Sequence, residues 1–301
     1  MELKYRVDNL KYKNIKEVCK NHFEISDRLL TKLKRNQKIF LNNSKVYINT
    51  PLSLNDIIII NLDFEEESEN IVPTKMDLNI LYEDDYLIII NKPFGIPIHP
   101  SISHFKNSLS NGLKYYFNVK NIIKKIRPVN RLDKDTSGIV IFAKHEYIQE
   151  CLVKQMKNKK FKKEYLAILE GHMDKINGTI NLPISRKEGS IIEREINING
   201  ENAITHFELI DNFEVNNQKL SLVKFILETG RTHQIRVHSK YINHPILGDS
   251  LYGNKSNLIN RQALHAYRVL FIHPITKESI NVEIPLPLDM KKVLDNKKNI
   301  C

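Results

Sequence analysis

Three short segments hold residue types that could do chemistry. RPVNRLDKDTSGIVIFAKH (127–145) runs a polar loop of Arg, Asp, Thr, Ser and Gly directly into an apolar strand. A carboxylate there, Asp133, would stand at the mouth of a sheet with Arg131 two residues before it. ETGRTHQIRVH (228–238) gathers two Arg, two His, a Gln and two Thr in a loop-to-helix run, and Gly230 would let the backbone approach a neighbour closely. HPILGDSLYG (244–253) is a loop punctuated by Pro and Gly that could pack against such a site. Each has an ordinary reading too. DKDTSG is made of turn formers, with Asp133 a turn cap, and the second run could be a surface or phosphate-binding helix start. An ion pair between Asp133 and Arg231 would make the segments one site, because a guanidinium keeps a carboxylate ionised where burial would protonate it.

Other chemistries lack their residues. There is no GxxxxGK[ST] phosphate loop, no GxGxxG after a strand, no GxSxG elbow and no HExxH. A tightly held nucleotide or nicotinamide cofactor is therefore disfavoured, and no cofactor is expected. His233 and His238 are five apart, and His244, His265 and His273 follow without a metal-binding pattern. These imidazoles are expected to bond to backbone or RNA, or to sit at strand ends, and no metal is expected. Cys19, Cys151 and Cys301 form no CxxC, so a zinc knuckle, redox pair or disulfide scaffold is unsupported and a reducing compartment is implied. Cys151 falls in an apolar helical pattern and reads as an inert buried thiol.

The elements that must carry these segments are legible from periodicity. Residues 14–38 place Ile15, Val18, Cys19, Ile25, Leu29, Leu30 and Leu33 at helical spacing, with Ser26 or Asp27 as a cap. KIFLNN, KVYIN and DIIIINL follow as short strands between Asn-rich turns. Farther on, NILYEDDYLIIINKP, GIVIFAKH, KEYLAILEG, REININ, AITHFELI, LSLVKFILE, HAYRVLFIH and SINVEIP read as strands. KNSLSNGLKYYF and HEYIQECLVKQMKNK read as helices. Adjacent strands without intervening helices predict an α+β fold on a mixed, mainly antiparallel sheet.

Charge divides the 301-residue, +11 chain. Residues 1–60 carry 12 Lys/Arg and 6 Asp/Glu, whereas residues 61–75 carry five acids and one Lys. The expected organisation is a small α/β unit over 1–62, an acidic linker over 63–75 and a larger domain over 76–301. The first unit would pack loosely or swing. Both basic blocks suit a polyanion. KNKKFKK (157–163) sets five Lys around one Phe, a self-repelling cluster that an anion would relieve. The N-terminus has no apolar signal region and no run long enough to span a bilayer, so a cytoplasmic protein without a membrane partner is expected. A monomer is expected too.

The ordered blocks NKPFGIPIHP, RLDKDTSG, KKEYLAILEG, GRTHQIRVH, HPILGDSLYG and LHAYRVLFIHP resemble the RluA family of pseudouridine synthases across residues 76–287. Residues 1–60 resemble, less closely, the S-four type of ribosomal RNA-binding domain, with Asn43 and Asn55 where Gly is usual. Many family members begin the central motif with His, where this chain has Asn130. The resemblance implies that Asp133 is the nucleophile, Arg231 its partner, and Tyr165 the face against the uracil. Arg131 would fill the gap left by a flipped nucleotide, and Thr136, His233 and Arg236 would join it in contacting RNA. The implied partner is structured RNA, ribosomal or transfer RNA, with ribosomal RNA favoured. Two other classes compete: a catalytically silent RNA-binding protein, and a nucleosidase using Asp133 with a His. Asp133, Arg231 and Tyr165 are all present, which disfavours the first, and no second acid stands out for the other.

Overall fold

Alternation and helical spacing build the first 62 residues. The structure is a computed structural model describing residues 1–299; Ile300 and Cys301, the end of the expected 76–301 domain, lie outside the described residues. Strand β1 (Glu2–Arg6) precedes α1 (Ile15–Glu17), which Asn14 caps and which widens into a π-helical turn over Val18–His22. Helix α2 (Asp27–Arg35) starts at Ser26, whose Oγ accepts from Leu29 N at 3.1 Å. It buries Leu29, Leu30 and Leu33 and turns Lys34 and Arg35 outward. Then come β2 (Ile39–Leu41), β3 (Ser44–Lys45) and β4 (Ile57–Asn61), in the antiparallel order β1-β4-β2-β3. Asn43 and Asn55 have φ of 67° and 69°, the left-handed region that Asn tolerates better than most side chains.

The larger sheet begins with β5 (Asn79–Glu83) and β6 (Leu87–Lys92), then α3 (Leu109–Val119), β7 (Arg127–Pro128) and β8 (Ser137–Ala143). After α4 (Glu146–Lys157) come β9 (Lys162–Glu170), β10 (Asn177–Asn181) and a small ribbon of β11 (Ile184–Arg186) and β12 (Arg194–Ile196). The long hairpin β13 (Ile204–Val215) and β14 (Gln218–Leu227) leads to α5 (Gln234–Tyr241). β15 (Leu264–Ile272), β16 (Ser279–Glu283), α6 (Leu288–Asp295) and β17 (Lys298–Asn299) complete the described chain. The order is β10-β13-β14-β9-β15-β8-β6-β5, with β16 on β15, β17 on β13 and β7 on β8. Among the described strands only β8 and β15 pair in parallel. There Gly138 has φ 122°, and a Cβ on it would lie 2.3 Å from Ala266 O, so the two backbones meet with no room for a side chain. The expected α+β class with a mixed, mainly antiparallel sheet is the observed one.

Strand alternation sends side chains to two cores. Ile88, Ile90, Val140 and Phe142 share one buried cluster with Leu113 and Phe117 of α3 and Ile235 of α5. Leu87, Ile89, Ile139 and Ile141 share the other with Ile148 and Leu152 of α4 and with Ile25, Leu29 and Ile58 of the N-terminal unit. Apolar burial of this kind is worth roughly 1.5–3 kcal/mol per large side chain, against about 0–1 for an exposed ion pair. The first unit is therefore seated on the larger sheet, which differs from the loose or swinging placement read from charge.

The acidic stretch is a fastening rather than a free linker. Glu66 accepts from both Lys32 and Arg127, Asp63 from Lys124, and Ser68 Oγ from Ile126 N at 2.9 Å. Charge segregation was the sequence signal for a linker, but these acids are spent on basic partners to either side. Burial works against the charge of Glu66, yet hydrogen bonds and charges from Lys32 and Arg127 prevail and lower its pKa. A lowered folded-state value means stabilisation that is complete above the unfolded value and lost as pH falls through the folded one. Glu66→Gln should therefore lower Tm at neutral pH, and the gap to wild type should shrink below about pH 4.5 as the wild-type carboxyl protonates. Thermal unfolding from pH 7 to pH 3 checks this; a gap independent of pH would assign Glu66 to packing alone.

Candidate active site

Asp133 lies in the loop between β7 and β8, and the loop is held from behind. Asn130 is buried; its Nδ2 donates to Ile139 O at 3.0 Å and its Oδ1 accepts from Ile141 N at 2.9 Å. The amide thus acts as a piece of strand, which gives Asn130 a bracing role behind the loop. Thr136 N donates to Asp133 O and closes the turn. Lys92, wholly buried, donates from Nζ to Pro93 O, Ile96 O and Lys134 O at 2.8–2.9 Å. Burial drives its pKa down to about 7, against the pull of Asp135 and Asp133.

Facing this loop is α5. Its entry residue His233 is left-handed, with φ 58°, so the chain reverses direction before the helix begins. Gln234 fixes that reversal: its Oε1 accepts from Thr229 Oγ1 and Arg231 N, and its Nε2 donates to Ile204 O and Thr205 Oγ1, all within 3.0 Å. Two residues on, Arg236 is buried between two carboxylates. Nε and Nη2 donate to the two oxygens of Asp249 at 2.7 and 2.8 Å, and Nη1 donates to Asp133 Oδ2 at 3.1 Å. Burial alone would weaken the guanidinium's hold on its proton; Asp249 and then Asp133 outweigh it and raise the pKa.

The remaining walls are neutral. Tyr165 on β9 is 6% exposed, and burial together with the charge of Asp133 pushes its phenol up, so it stays protonated. Its hydroxyl has no partner among the described residues. His233 Nε2 lies 3.8 Å from Asp133 Oδ2, and Nδ1 is 2.8 Å from Tyr252 Oη. Tyr252 Oη accepts from Arg194 N, so its own proton is free for Nδ1, leaving Nε2 as the protonated nitrogen toward Asp133. Burial lowers the pKa of His233, and Asp133 opposes this only in part. Tyr165, Leu132, Leu227 and Leu264 line a narrow cleft of about 60 Å³ over Asp133, open to solvent past Arg131 and Arg231. A larger cavity of about 740 Å³ lies beside Phe94 and Asp289, where the Arg261 guanidinium is already paired with Asp289.

The structure brings Asp133, Tyr165, His233 and Arg236 together, and it corrects three sequence assignments. Arg231 does not pair with Asp133: it precedes the reversal at His233, and its guanidinium goes to Glu201 at 2.7 Å and Asn202 O at 3.0 Å. Arg236, expected on RNA, is the partner instead, buried with one N–H from each of its three nitrogens on a carboxylate. Thr136 is 2% exposed and accepts from Gln262, so it braces the turn rather than facing RNA. Arg131 is exposed at the cleft, as a residue entering RNA would have to be. Asp249 was missed; the available signal was Arg236 flanked by Ile235 and Val237, a buried cation needing an acid. Other histidines serve as braces, with His238 on Thr205 and Leu182 O, and His244 on Glu170 O. Cys151 is half-buried and its thiol pKa is raised by burial, consistent with an inert residue.

An acid fixed by a guanidinium thus stands in a narrow cleft, part apolar and part charged, beside a neutral phenol. A family model described as RNA pseudouridylate synthase matches residues 86–241, which hold the Asp133 loop, Tyr165 and α5. The Bacillus subtilis (strain 168) protein YhcT, an uncharacterized RNA pseudouridine synthase, is 41% identical over 92% of this chain and 90% of its own. The ribosomal large subunit pseudouridine synthase D of Blochmanniella floridana is 36% identical over 90% of this chain and 92% of its own. Among solved structures, human RNA pseudouridylate synthase domain containing 1 superposes with a TM-score of 0.58 at 26% identity, over 69% of this chain and 83% of that one. This chain belongs to the RNA pseudouridine synthases of the RluA family, which are isomerases.

The geometry separates the two arginines. Arg236→Ala would leave Asp249, whose side chain is fully buried, without a counter-charge, at a cost on the order of 3–5 kcal/mol, and would release Asp133. Arg236→Lys keeps the charge but loses the fork to Asp249 and should recover only part of both stability and turnover. Arg231→Ala breaks an exposed pair with Glu201 and should cost less than about 1 kcal/mol. Denaturation and turnover of the three variants check this ranking; equal losses for Arg231→Ala and Arg236→Ala would contradict it.

Proposed function

We propose that this enzyme isomerises uridines in ribosomal RNA, with Asp133 as the nucleophile. The observation that carries the reading is the Asp133–Arg236–Asp249 array: one carboxylate faces the cleft, and the other is consumed by the guanidinium and by Leu251 N and Tyr252 N. A hydrolase would need a second group to activate water. Asp249 is fully engaged, and His233 turns a protonated nitrogen toward Asp133. Pseudouridine formation breaks the bond from N1 of the base to the ribose anomeric carbon and makes one from carbon 5. Carbon 5 gives up its proton and N1 takes one, so no oxidant, reductant or water is consumed.

The residues divide that work. Asp133 attacks the nucleoside, with Arg236 holding the carboxylate oxygen in place. Tyr165 offers its ring to the detached uracil, and its protonated hydroxyl can relay the carbon-5 proton by passing its own on, with N1 as the final acceptor. A uridine inside an RNA stem must first be flipped out, at a cost of a few kcal/mol. Arg131 stands where it can occupy the vacated stack. Phosphate contacts offset the cost, and the N-terminal unit supplies candidates: Lys34, Arg35 and Lys45 surround a groove of about 660 Å³ beside Tyr47, which is 88% exposed. Ribosomal RNA is preferred over transfer RNA because relatives covering nearly the whole chain include one named for the large ribosomal subunit.

Asp133→Asn keeps the side chain's shape and removes its charge and nucleophilicity. It should lower turnover on large-subunit ribosomal RNA by several orders of magnitude and leave RNA affinity within about threefold, since phosphate contacts dominate binding. Chromatography of labelled uridine from the digested product reads the outcome. Pseudouridine without free uracil from the wild type supports the proposal. Free uracil would identify a hydrolase, and wild-type-like turnover of Asp133→Asn would remove Asp133 from the mechanism.

A further inference from the structure

The lysine cluster at 157–163 is not absorbed by the catalytic site, and the structure resolves it into parts. Phe161 is buried and stacks on Phe271, with ring centroids 5.3 Å apart, so it anchors the turn and is not a platform for bases. Lys159 pairs with Glu228 at 2.6 Å. Lys157, Lys160 and Lys162 are exposed. Lys163 differs from all of them. It lies on β9 two residues before Tyr165, hence on the same face of the strand and about 7 Å away along it. A Cβ on Gly230 would lie 3.3 Å from its Nζ, so the ammonium sits against the backbone just before Arg231, at the rim of the Asp133 cleft.

No hydrogen bond or ion pair reaches this ammonium among the described residues. The acids on the flanking elements are already used: Glu228 by Lys159 and His206, Glu164 by Tyr267 and Arg268. The other charged groups nearby, Arg231, Lys159, Lys160 and Lys162, are cations. Burial drives the pKa of Lys163 down to about 8. A half-buried cation without a partner is costly to a chain that could have placed an acid beside it. A bound anion would relieve that cost. Gly230 leaves the space open, and any larger side chain there would crowd the ammonium.

We propose that Lys163 is a substrate-positioning residue that binds a backbone phosphate of the RNA strand next to the flipped uridine. It would fix the strand at the cleft rim, two residues from the ring that receives the base. Lys160 and Lys162 would carry the same strand away along the basic turn. The proposal rests on the chain acting on RNA, and not on which RNA it modifies.

The test compares full-length wild type, Lys163→Gln and Lys163→Arg on a large-subunit ribosomal RNA fragment and on an unrelated structured RNA of equal length. For Lys163→Gln, affinity should fall about tenfold on both RNAs, and the plot of log affinity against log salt should flatten by about 0.7–0.9. KM should rise by a similar factor with a much smaller fall in kcat. Wild-type affinity should weaken as pH rises through about 8, where the ammonium loses its proton. Lys163→Arg should restore affinity and salt slope and abolish that pH dependence, because the guanidinium stays charged. An unchanged salt slope with a lowered Tm would make Lys163 a structural brace, and a fall in kcat at constant KM would make it a proton carrier; either overturns the assignment. If the Gln variant does not fold, parallel pH curves for wild type and Lys163→Arg overturn it equally. Failure of the ribosomal reading looks different: no turnover on that fragment, with the binding differences intact.

Discussion

The arrangement at the cleft depends on one guanidinium shared by two acids. Arg236 and Asp249 are both out of water, and neither could be left there alone without a cost of several kcal/mol. Their fork fixes the rotation of the guanidinium, and the third donor then has only one direction in which to reach, toward Asp133. Asp249 also accepts from Leu251 N and Tyr252 N, which sets the Tyr252 hydroxyl that orients His233. Loops more than a hundred residues apart are thereby held in register by one desolvated ion pair. Asp133, which lines the cleft, is the exposed end of this chain of constraints.

Around that charge, apart from the rim cations Arg131 and Lys163, the protein keeps its other groups neutral or occupied. The Tyr165 phenol is protonated, His233 is kept neutral by burial, and the deep histidines are committed to carbonyls and hydroxyls. In the proposed reaction a flipped base would meet one fixed carboxylate, one aromatic ring and few groups able to activate water. Lys92 supports the arrangement from the rear: three carbonyls, one of them Lys134 O in the catalytic loop, converge on its ammonium. Shape and hydrogen bonding, more than added charge, make the site.

Much of this was legible in the sequence because its signals are local. Continuous apolar runs such as LIIIN marked strands, Ser26 marked a helix start, and RLDKDTSG placed a carboxylate at a sheet mouth. What could not be read was direction. GRTHQIR offers two arginines, and which one points inward is decided by the left-handed turn at His233, a backbone choice that residue type alone does not reveal for His. The first strand, ELKYR, is short and half polar, and only its partner Ile57–Asn61 makes it a strand. Charge blocks misled in the same way. A run of acids shows that the segment is polar, but its partners at Lys32, Lys124 and Arg127 come together only in three dimensions.

The seating of the N-terminal unit has a geometric consequence for what the enzyme can accept. With that unit sharing a core with the larger sheet and its acidic strap tied down on both sides, the span from Lys34 and Lys45 to Asp133 behaves as the gap of a caliper rather than the reach of a tether. An RNA that touches both ends must present its uridine at one set distance and one set angle from a second surface. Folded RNAs differ among themselves in just this respect, even where their local sequences agree. Under the proposed function, the rigid gap would make overall shape a criterion for choosing a nucleotide.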